Sequence, residues 1–231
     1  MKRTKGFFGF EKYRYAHRGL HGKNVPENSL AAFSRAAARG FGAEMDVRLT
    51  KDGELIVFHD ASLLRMTGAN GATEDMRKNQ RKNLLLQNSQ EHVPLLSEVL
   101  PLFEGRAPLI LELKTNKGNY AELTRRVCEL LVNFPRVKFC IESFDPRVLR
   151  WLRKHRPNAI RGQLTHRSAL NLLLNFWTRP HFVACKFEDR NALIMRICRK
   201  LSGVREVYWT ITTDEAKRIA LESGASIIFE E

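Results

Sequence analysis

Short apolar and β-branched runs alternate along this chain with stretches of helical periodicity roughly 10 to 15 residues long, and that alternation narrows the fold more than any other feature. It predicts strands near Tyr15–His17, Ala43–Leu49, Leu109–Lys114, Val137–Phe144, Ala159–Leu164, Phe182–Lys186, Val207–Ile211 and Ile227–Glu230. Helical patterns fill the intervals at Asn28–Arg39, Ser97–Glu104, Tyr120–Asn133, Pro146–Lys154, Ala169–Trp177, Ala192–Leu201 and Asp214–Glu222. Repeated β-α units build a parallel sheet. Eight of them describe a closed α/β barrel, the (β/α)8 TIM barrel, with its functional groups collected at the carboxyl ends of the strands. A length of 231 residues is ordinary for one such barrel. An open doubly wound sheet is the alternative, but no GxGxxG loop follows the first strand. No low-complexity tract, Pro- or Gly-rich linker or internal repeat marks a boundary. Residues 1–14 are therefore read as an N-terminal segment and residues 15–231 as a single barrel domain.

One run breaks the alternation. Glu54–His59 reads as a strand, yet only Lys51, Asp52 and Gly53 separate it from the strand before, so it must return as a hairpin. Asp-Gly favours a two-residue type I′ turn, which predicts Lys51 opposite Glu54, then Leu49 opposite Ile56, Val47 opposite Phe58 and Asp46 opposite His59. Opposed residues of an antiparallel pair share a face. Glu44, Asp46 and Arg48 also share one by the two-residue strand period, so His59 is expected beside the carboxylates. In the strand near Leu109–Lys114, Glu112 and Lys114 share a face in the same way. Charges turned into a barrel are costly unless paired, and three hard carboxylates, Glu44, Asp46 and Glu112, suit a divalent cation, Mg2+ or Ca2+. The alternative is a structural ion-pair network in which Arg18, Arg48 and Lys114 neutralise these acids.

A second signal is AHRG at residues 16–19, where a strand runs straight into a glycine and leaves His17 and Arg18 at its end. Lysine and arginine outnumber acids by 39 to 25, and the resulting charge of +14 favours anionic partners: nucleic acid, anionic lipid or phosphate esters. The densest basic run is a helix carrying Arg147, Arg150, Arg153 and Lys154 on one face, whose plain reading is a solvated surface. Nucleic acid is not expected, because most of the 14 phenylalanines occupy apparent core positions rather than an exposed stacking surface. The cysteines at 128, 140, 185 and 198 form no CxxC pair and sit among apolar neighbours, as buried thiols of a reducing compartment do. The first residues are basic and lack the apolar run of a secretory signal, so the expected location is cytoplasmic.

These motifs occur together in one known family. HRG at 17–19, PENS at 26–29 and AAFSRAAARGFGAEMDVRLTKDGELIVFHD at 31–60 resemble the opening of the glycerophosphodiester phosphodiesterase family. RMTGANG at 65–71, VPLLSEVL at 93–100, LELK at 111–114, SFDPRVLRWLR at 143–153 and YWT at 208–210 follow in that family's order, covering nearly the whole chain from Tyr15 onward. The resemblance implies an α/β barrel that hydrolyses glycerophosphodiesters to sn-glycerol 3-phosphate and an alcohol. It implies that Glu44, Asp46 and Glu112 bind the divalent metal, that His17 and His59 form the acid/base pair, and that Arg18 and Lys114 hold the phosphate. Trp209, at a strand end, is either a wall against the glycerol moiety or a core residue. The nucleophile is either water or the substrate's own glycerol hydroxyl.

The chain departs from the family pattern at Thr212, where many members carry asparagine, and in ending IIFEE rather than near a Thr-Asp pair; both changes bear on substrate detail. Glu142 and Lys186 are unassigned candidates near strand tops, and His21, four residues past His17 in a turn, is within reach of the site but is read as a solvated loop residue. Two other functions compete with this one. One is lysophospholipase D-type activity at a membrane surface, with Phe7, Phe8, Phe10 or the Leu172–Trp177 helix as apolar contact. The other is a non-catalytic barrel that binds anionic membrane or nucleic acid through its basic surface.

Overall fold

The computed structural model describes residues 9–87, 89–165, 177–193, 195–197 and 203–231. Its strands are β1 Arg14–Ala16, β2 Gly42–Leu49, β3 Leu55–Val57, β4 Leu109–Leu113, β5 Phe139–Ser143, β6 Arg161–Thr165, β7 Phe182–Lys186, β8 Arg205–Ile211 and β9 Ser226–Phe229. All except β3 run parallel, in the ring order β1, β2, β4, β5, β6, β7, β8, β9, and the ring closes where β9 pairs with β1. The barrel expected from the β-α alternation is the one that forms, with β3 bonded outside the ring.

The strand period sorts side chains between two cores. Met45, Val47, Leu111, Leu113 and Ile141 face outward and pack with Phe33, Phe103, Leu123, Val127 and Leu149 of the surrounding helices and turns. Tyr15, Ile110, Cys140, Leu164, Phe182 and Ile228 fill the barrel itself. Each fully buried aliphatic or aromatic side chain here contributes about 1.5–3 kcal/mol, which is why the ring tolerates charged residues only where something offsets them. Phe10 belongs to this inner cluster: it is buried, and its carbonyl accepts a hydrogen bond from the Tyr15 hydroxyl at 2.9 Å. It cannot serve as the apolar membrane contact expected of it. Phe7, Phe8 and residues 172–176 lie outside the described residues, whereas Trp177 is exposed.

Helices occupy Leu30–Ala38, Tyr120–Leu131, Pro146–His155 and Asp214–Glu222, close to the expected spans. Ser29, Asp145 and Thr213 cap three of them, each accepting a backbone amide on its side-chain oxygen, a device worth about 1 kcal/mol apiece. The helix expected at Ser97–Glu104 is instead a helical turn, Leu96–Val99, that tightens into a 3-10 turn over Leu100–Phe103. Pro101 has no amide to donate, so a regular helix cannot run through it. The helices expected at Ala169–Trp177 and Ala192–Leu201 reach outside the described residues, as does Cys198. Among the described residues no helix is long and apolar enough to cross a membrane.

The hairpin forms, but one residue out of the expected register. Val47 pairs with Val57, Arg48 with Ile56 and Leu49 with Leu55. The loop has three residues rather than two: the Thr50 amide donates to the Glu54 carbonyl at 2.9 Å and the Gly53 amide to the Thr50 carbonyl at 3.0 Å. Gly53 takes a left-handed φ of 87°, the mark of a turn closed by a glycine bulge. The Thr50 hydroxyl completes the closure, donating to Asp52 Oδ1 at 2.6 Å and accepting from the Glu54 amide at 2.9 Å. A shift of one residue flips every side chain of a strand. Leu55 and Val57 therefore join the outer core, while Ile56 and Phe58 pack with Leu63, Met66, Met76, Leu86 and Val93 in a small third core.

Candidate active site

The His17 amide donates to the Phe229 carbonyl at 2.9 Å, so His17 still belongs to the ladder although β1 ends at Ala16. Arg18 and Gly19 then both take left-handed φ values, 54° and 79°. A Cβ on Gly19 would stand 2.8 Å from that of Ala32, so only glycine lets this turn press against the helix Leu30–Ala38. The turn leaves His17 Nε2 3.9 Å from Glu44 Oε2 and the Arg18 amide 3.2 Å from the same oxygen. The Arg18 guanidinium reaches Asp46 at 3.4 Å and Glu27 at 2.8 Å.

The acids gather because β2 and β4 pair with Asp46 directly opposite Glu112. Glu44, Asp46 and Glu112 each bring one carboxylate oxygen within 4.8 Å of the other two. Glu142, opposite Glu112 on β5, adds a fourth buried carboxyl group. Lys114 Nζ lies 2.7 Å from Glu112 and 3.1 Å from Asp46. Arg48 is not part of this network, contrary to the ion-pair alternative: it pairs with Glu74 and donates to the His59 carbonyl at 3.1 and 2.6 Å. Two cations thus face four buried carboxyl groups, and Glu44 Oε1 and Glu142 Oε2 have no hydrogen-bond partner among the described residues.

The imbalance shows in the acidities. Burial pushes Glu44 and Glu142 well above the usual carboxylate range, with neighbouring acids adding to the effect. Glu112 is pushed up to about 7, chiefly by burial, with Lys114 opposing. Burial acts on Asp46 in the same sense, but Lys114 and Arg18 outweigh it and hold that carboxyl below its ordinary range. Hard oxygen donors, surplus negative charge and an unpartnered buried carboxylate oxygen are what a divalent cation fits.

His59 reaches the site by a route the expected register does not describe. Pairing between β2 and β3 stops at Val57, and the Phe58 amide donates to the Asp46 carbonyl at 2.9 Å. Beyond it Arg48 holds the His59 carbonyl and the Thr73 hydroxyl holds that of Asp60 at 2.8 Å, so the chain leaves the strand with the imidazole turned to the cavity. His59 Nδ1 lies 2.7 Å from Asp60 Oδ1, and Arg65 grips the same carboxylate. Hydrogen bonds from Arg65 and His59 bring Asp60 down to about 2. Burial lowers His59, with Lys114 and Arg18 adding to the effect against the pull of Asp46.

His17, Arg18, Glu44, His59, Glu112, Lys114, Glu142 and Trp209 line one cavity of about 180 Å³. Trp209 stands edge-on to Phe144 at 6.2 Å, and its buried Nε1 has no hydrogen-bond partner among the described residues. Every residue that the family resemblance gave a role borders this cavity except Asp46, which stands behind it on Lys114, Arg18 and Asn28. The sequence profile of the glycerophosphoryl diester phosphodiesterase family matches residues 17–229. The chain belongs to that family. Membership makes it an enzyme of the glycerophosphodiester phosphodiesterase class. A glycerophosphodiester phosphodiesterase of Caldanaerobacter subterraneus is 35% identical over 235 residues, spanning 94% of this chain and 92% of its own. An Oleispira antarctica phosphodiesterase, solved with the product sn-glycerol-3-phosphate, superposes with a TM-score of 0.85 at 23% identity over 94% of this chain and 92% of that one. A Thermotoga maritima glycerophosphodiester phosphodiesterase gives 0.75 at 25% identity, covering 93% and 92%.

Several residues of this phosphodiesterase site carry roles the sequence reading left unassigned. Asn28 of the PENS motif is buried, takes a left-handed φ of 55° and donates Nδ2 to Asp46 Oδ2 at 2.9 Å. Glu27 joins Arg18 to Arg65, the arginine that grips Asp60. His21, read as a solvated loop residue, is a half-buried neighbour of Glu230 at 3.7 Å, and Glu230 bonds His17. A histidine four residues past a catalytic candidate is the only trace of this in the sequence. Lys186 stands outside the cavity lining, with Nζ 5.6 Å from the centre of the Trp209 ring.

Proposed function

We propose that this phosphodiesterase hydrolyses glycerophosphodiesters to sn-glycerol 3-phosphate and an alcohol by histidine acid/base catalysis, with one divalent cation, Mg2+ or Ca2+, held by Glu44, Asp46 and Glu112. The observation that carries the reading is the pairing of two imidazoles, each bonded to a carboxylate through Nδ1, around a buried surplus of acid. When bound, the cation supplies Lewis-acid stabilisation of the negative charge that grows on the phosphoryl oxygens.

This chain's own groups perform the rest. Arg18 and Lys114 meet the phosphate, and their existing ion pairs with Asp46, Glu27 and Glu112 keep both side chains oriented before substrate arrives. His17 Nε2 takes a proton from the nucleophile, either water or the substrate's own glycerol hydroxyl, and His59 Nε2 gives one to the departing alcohol; in the second case water then opens the cyclic phosphate to glycerol 3-phosphate. Burial keeps His59 neutral at rest, but an anionic phosphate entering beside it favours the protonated imidazole that the acid role requires. Trp209 walls the cavity on the side of Phe144 and packs against the glycerol moiety. The reading places the protein in the cytoplasm, where the buried thiols of Cys128, Cys140 and Cys185 stay reduced.

The test is a panel of glycerophosphocholine, glycerophosphoethanolamine, glycerophosphoglycerol and a lysophospholipid, assayed for glycerol 3-phosphate with and without each cation. His17→Ala and His59→Ala are each expected to abolish turnover while retaining the wild-type circular dichroism spectrum. Wild-type turnover by either variant would remove that histidine's role.

A further inference from the structure

Glu230 follows β9 directly, and both ends of its contact with His17 are pinned by the barrel. Its amide donates to the Ile211 carbonyl at 2.9 Å, and the His17 amide donates to the carbonyl of the preceding Phe229 at 2.9 Å. Glu230 Oε1 lies 2.6 Å from His17 Nδ1 and 3.7 Å from His21 Nε2. His21 is held in turn by its amide, which donates to the Gly19 carbonyl at 2.9 Å. All three side chains are half-buried, and His17 lines the cavity together with His59.

An imidazole whose Nδ1 faces a carboxylate carries its proton there and presents a bare Nε2. For His17 that bare nitrogen is the one directed at Glu44. The three side chains also meet the distance criterion for a metal site, but the contact is too short for an ion between them. Two ligands at about 2.0–2.2 Å from a tetrahedral ion stand well over 3 Å apart, whereas Nδ1 and Oε1 are at hydrogen-bond separation. The geometry is that of an oriented base.

We propose that Glu230 is a positioning residue: its carboxylate holds His17 in the Nδ1-protonated tautomer with Nε2 turned to the substrate, and His21 lies beside the same carboxylate oxygen. This rests on the reading of His17 as the base. Glu230 touches no reacting atom, so its loss acts on the proton-transfer step and leaves substrate binding to Arg18 and Lys114.

The test compares Glu230→Ala, Glu230→Gln and His21→Ala with wild type and with His17→Ala, using glycerophosphocholine and saturating Mg2+. Glu230→Ala is expected to lower kcat by roughly 10–100-fold with KM within about twofold, the range seen when the partner of a functional histidine is removed. Glu230→Gln, whose amide oxygen still accepts from Nδ1, retains more activity, and His21→Ala loses a few-fold. Long-range 15N–1H correlation spectra of the folded protein read the tautomer directly. His17 is expected as Nδ1–H in wild type and as a mixture with Nε2–H in Glu230→Ala. Should Glu230→Ala fail to fold, the wild-type and Glu230→Gln spectra decide. An Nε2–H tautomer in wild type overturns the proposal, as does a kcat within twofold of wild type in folded Glu230→Ala while His17→Ala is inactive. Activity in His17→Ala would instead overturn the catalytic reading beneath it.

Discussion

Asn28 shows how much of this site rests on residues that never meet substrate. Its amide group is the buried donor to Asp46, and its left-handed backbone is one that glycine adopts without cost. Asn28→Gly therefore removes the side chain and keeps the turn. It is expected to weaken cation affinity by about tenfold with little loss of thermal stability, as measured by titration calorimetry and melting. The acidities give a second expectation. Glu112, raised to about 7, and Glu44, raised well above the usual carboxylate range by burial, hold protons in the cation-free protein that they must release to bind a cation. A carboxyl group raised by folding contributes stability below its unfolded pKa and loses that contribution as pH rises through its folded value. Cation binding therefore strengthens with pH while the cation-free protein weakens. At a concentration about 100 times the dissociation constant, a cation adds about 2.7 kcal/mol, a rise in melting temperature of roughly 5–10 °C. That rise is expected to be larger at pH 7.5 than at pH 5.5. The grouping of the acids was legible in the sequence because strand alternation alone puts Glu44 with Asp46 and Glu112 with Lys114, whereas the expected roles of His17, His59 and Arg18 came from the family resemblance. Glu230, Asp60 and His21 were not legible, because the contacts that give them meaning join separate segments or depend on how the chain leaves a strand.

The element that best separates pattern from geometry is the β2–β3 hairpin. Lys-Asp-Gly correctly marks a turn, but a two-residue and a three-residue loop share those letters, and the Thr50 hydroxyl decides between them. The consequence reaches His59: strict pairing in the observed register would turn it away from the carboxylates, and only the break after Phe58, secured by Arg48, brings it back. Gly53 carries the turn at a φ of 87°, and a Cβ there would lie 3.0 Å from the Arg126 guanidinium. Gly53→Ala is expected to cost about 1 kcal/mol, a drop of roughly 2–4 °C in melting temperature. Wild-type melting would contradict the turn described. The ring strands and the helices Leu30–Ala38, Tyr120–Leu131, Pro146–His155 and Asp214–Glu222 follow the sequence closely, since period and caps are local properties. The helix at Ser97–Glu104 fails for an equally local reason, Pro101.

At the scale of the molecule, a cluster of buried acids, Glu44, Asp46 and Glu112, sits in a protein whose formal charge is +14. A field of that sign raises the encounter rate with anionic substrates and is screened by salt over about 10 Å at 0.1 M. For anionic glycerophosphoglycerol, kcat/KM is expected to fall several-fold between about 50 and 300 mM salt. For zwitterionic glycerophosphocholine it should fall much less, with kcat unaffected in both cases. Equal salt dependence would deny the net charge a role in capture. The central claim is that the acids of β2 and β4 form one cation site facing the two imidazoles. Anomalous scattering from a crystal of the protein grown with Mn2+ tests it most directly. A single strong peak within bonding distance of Glu44, Asp46 and Glu112 is the predicted result; a peak among His17, His21 and Glu230, or none at the acids, would contradict it.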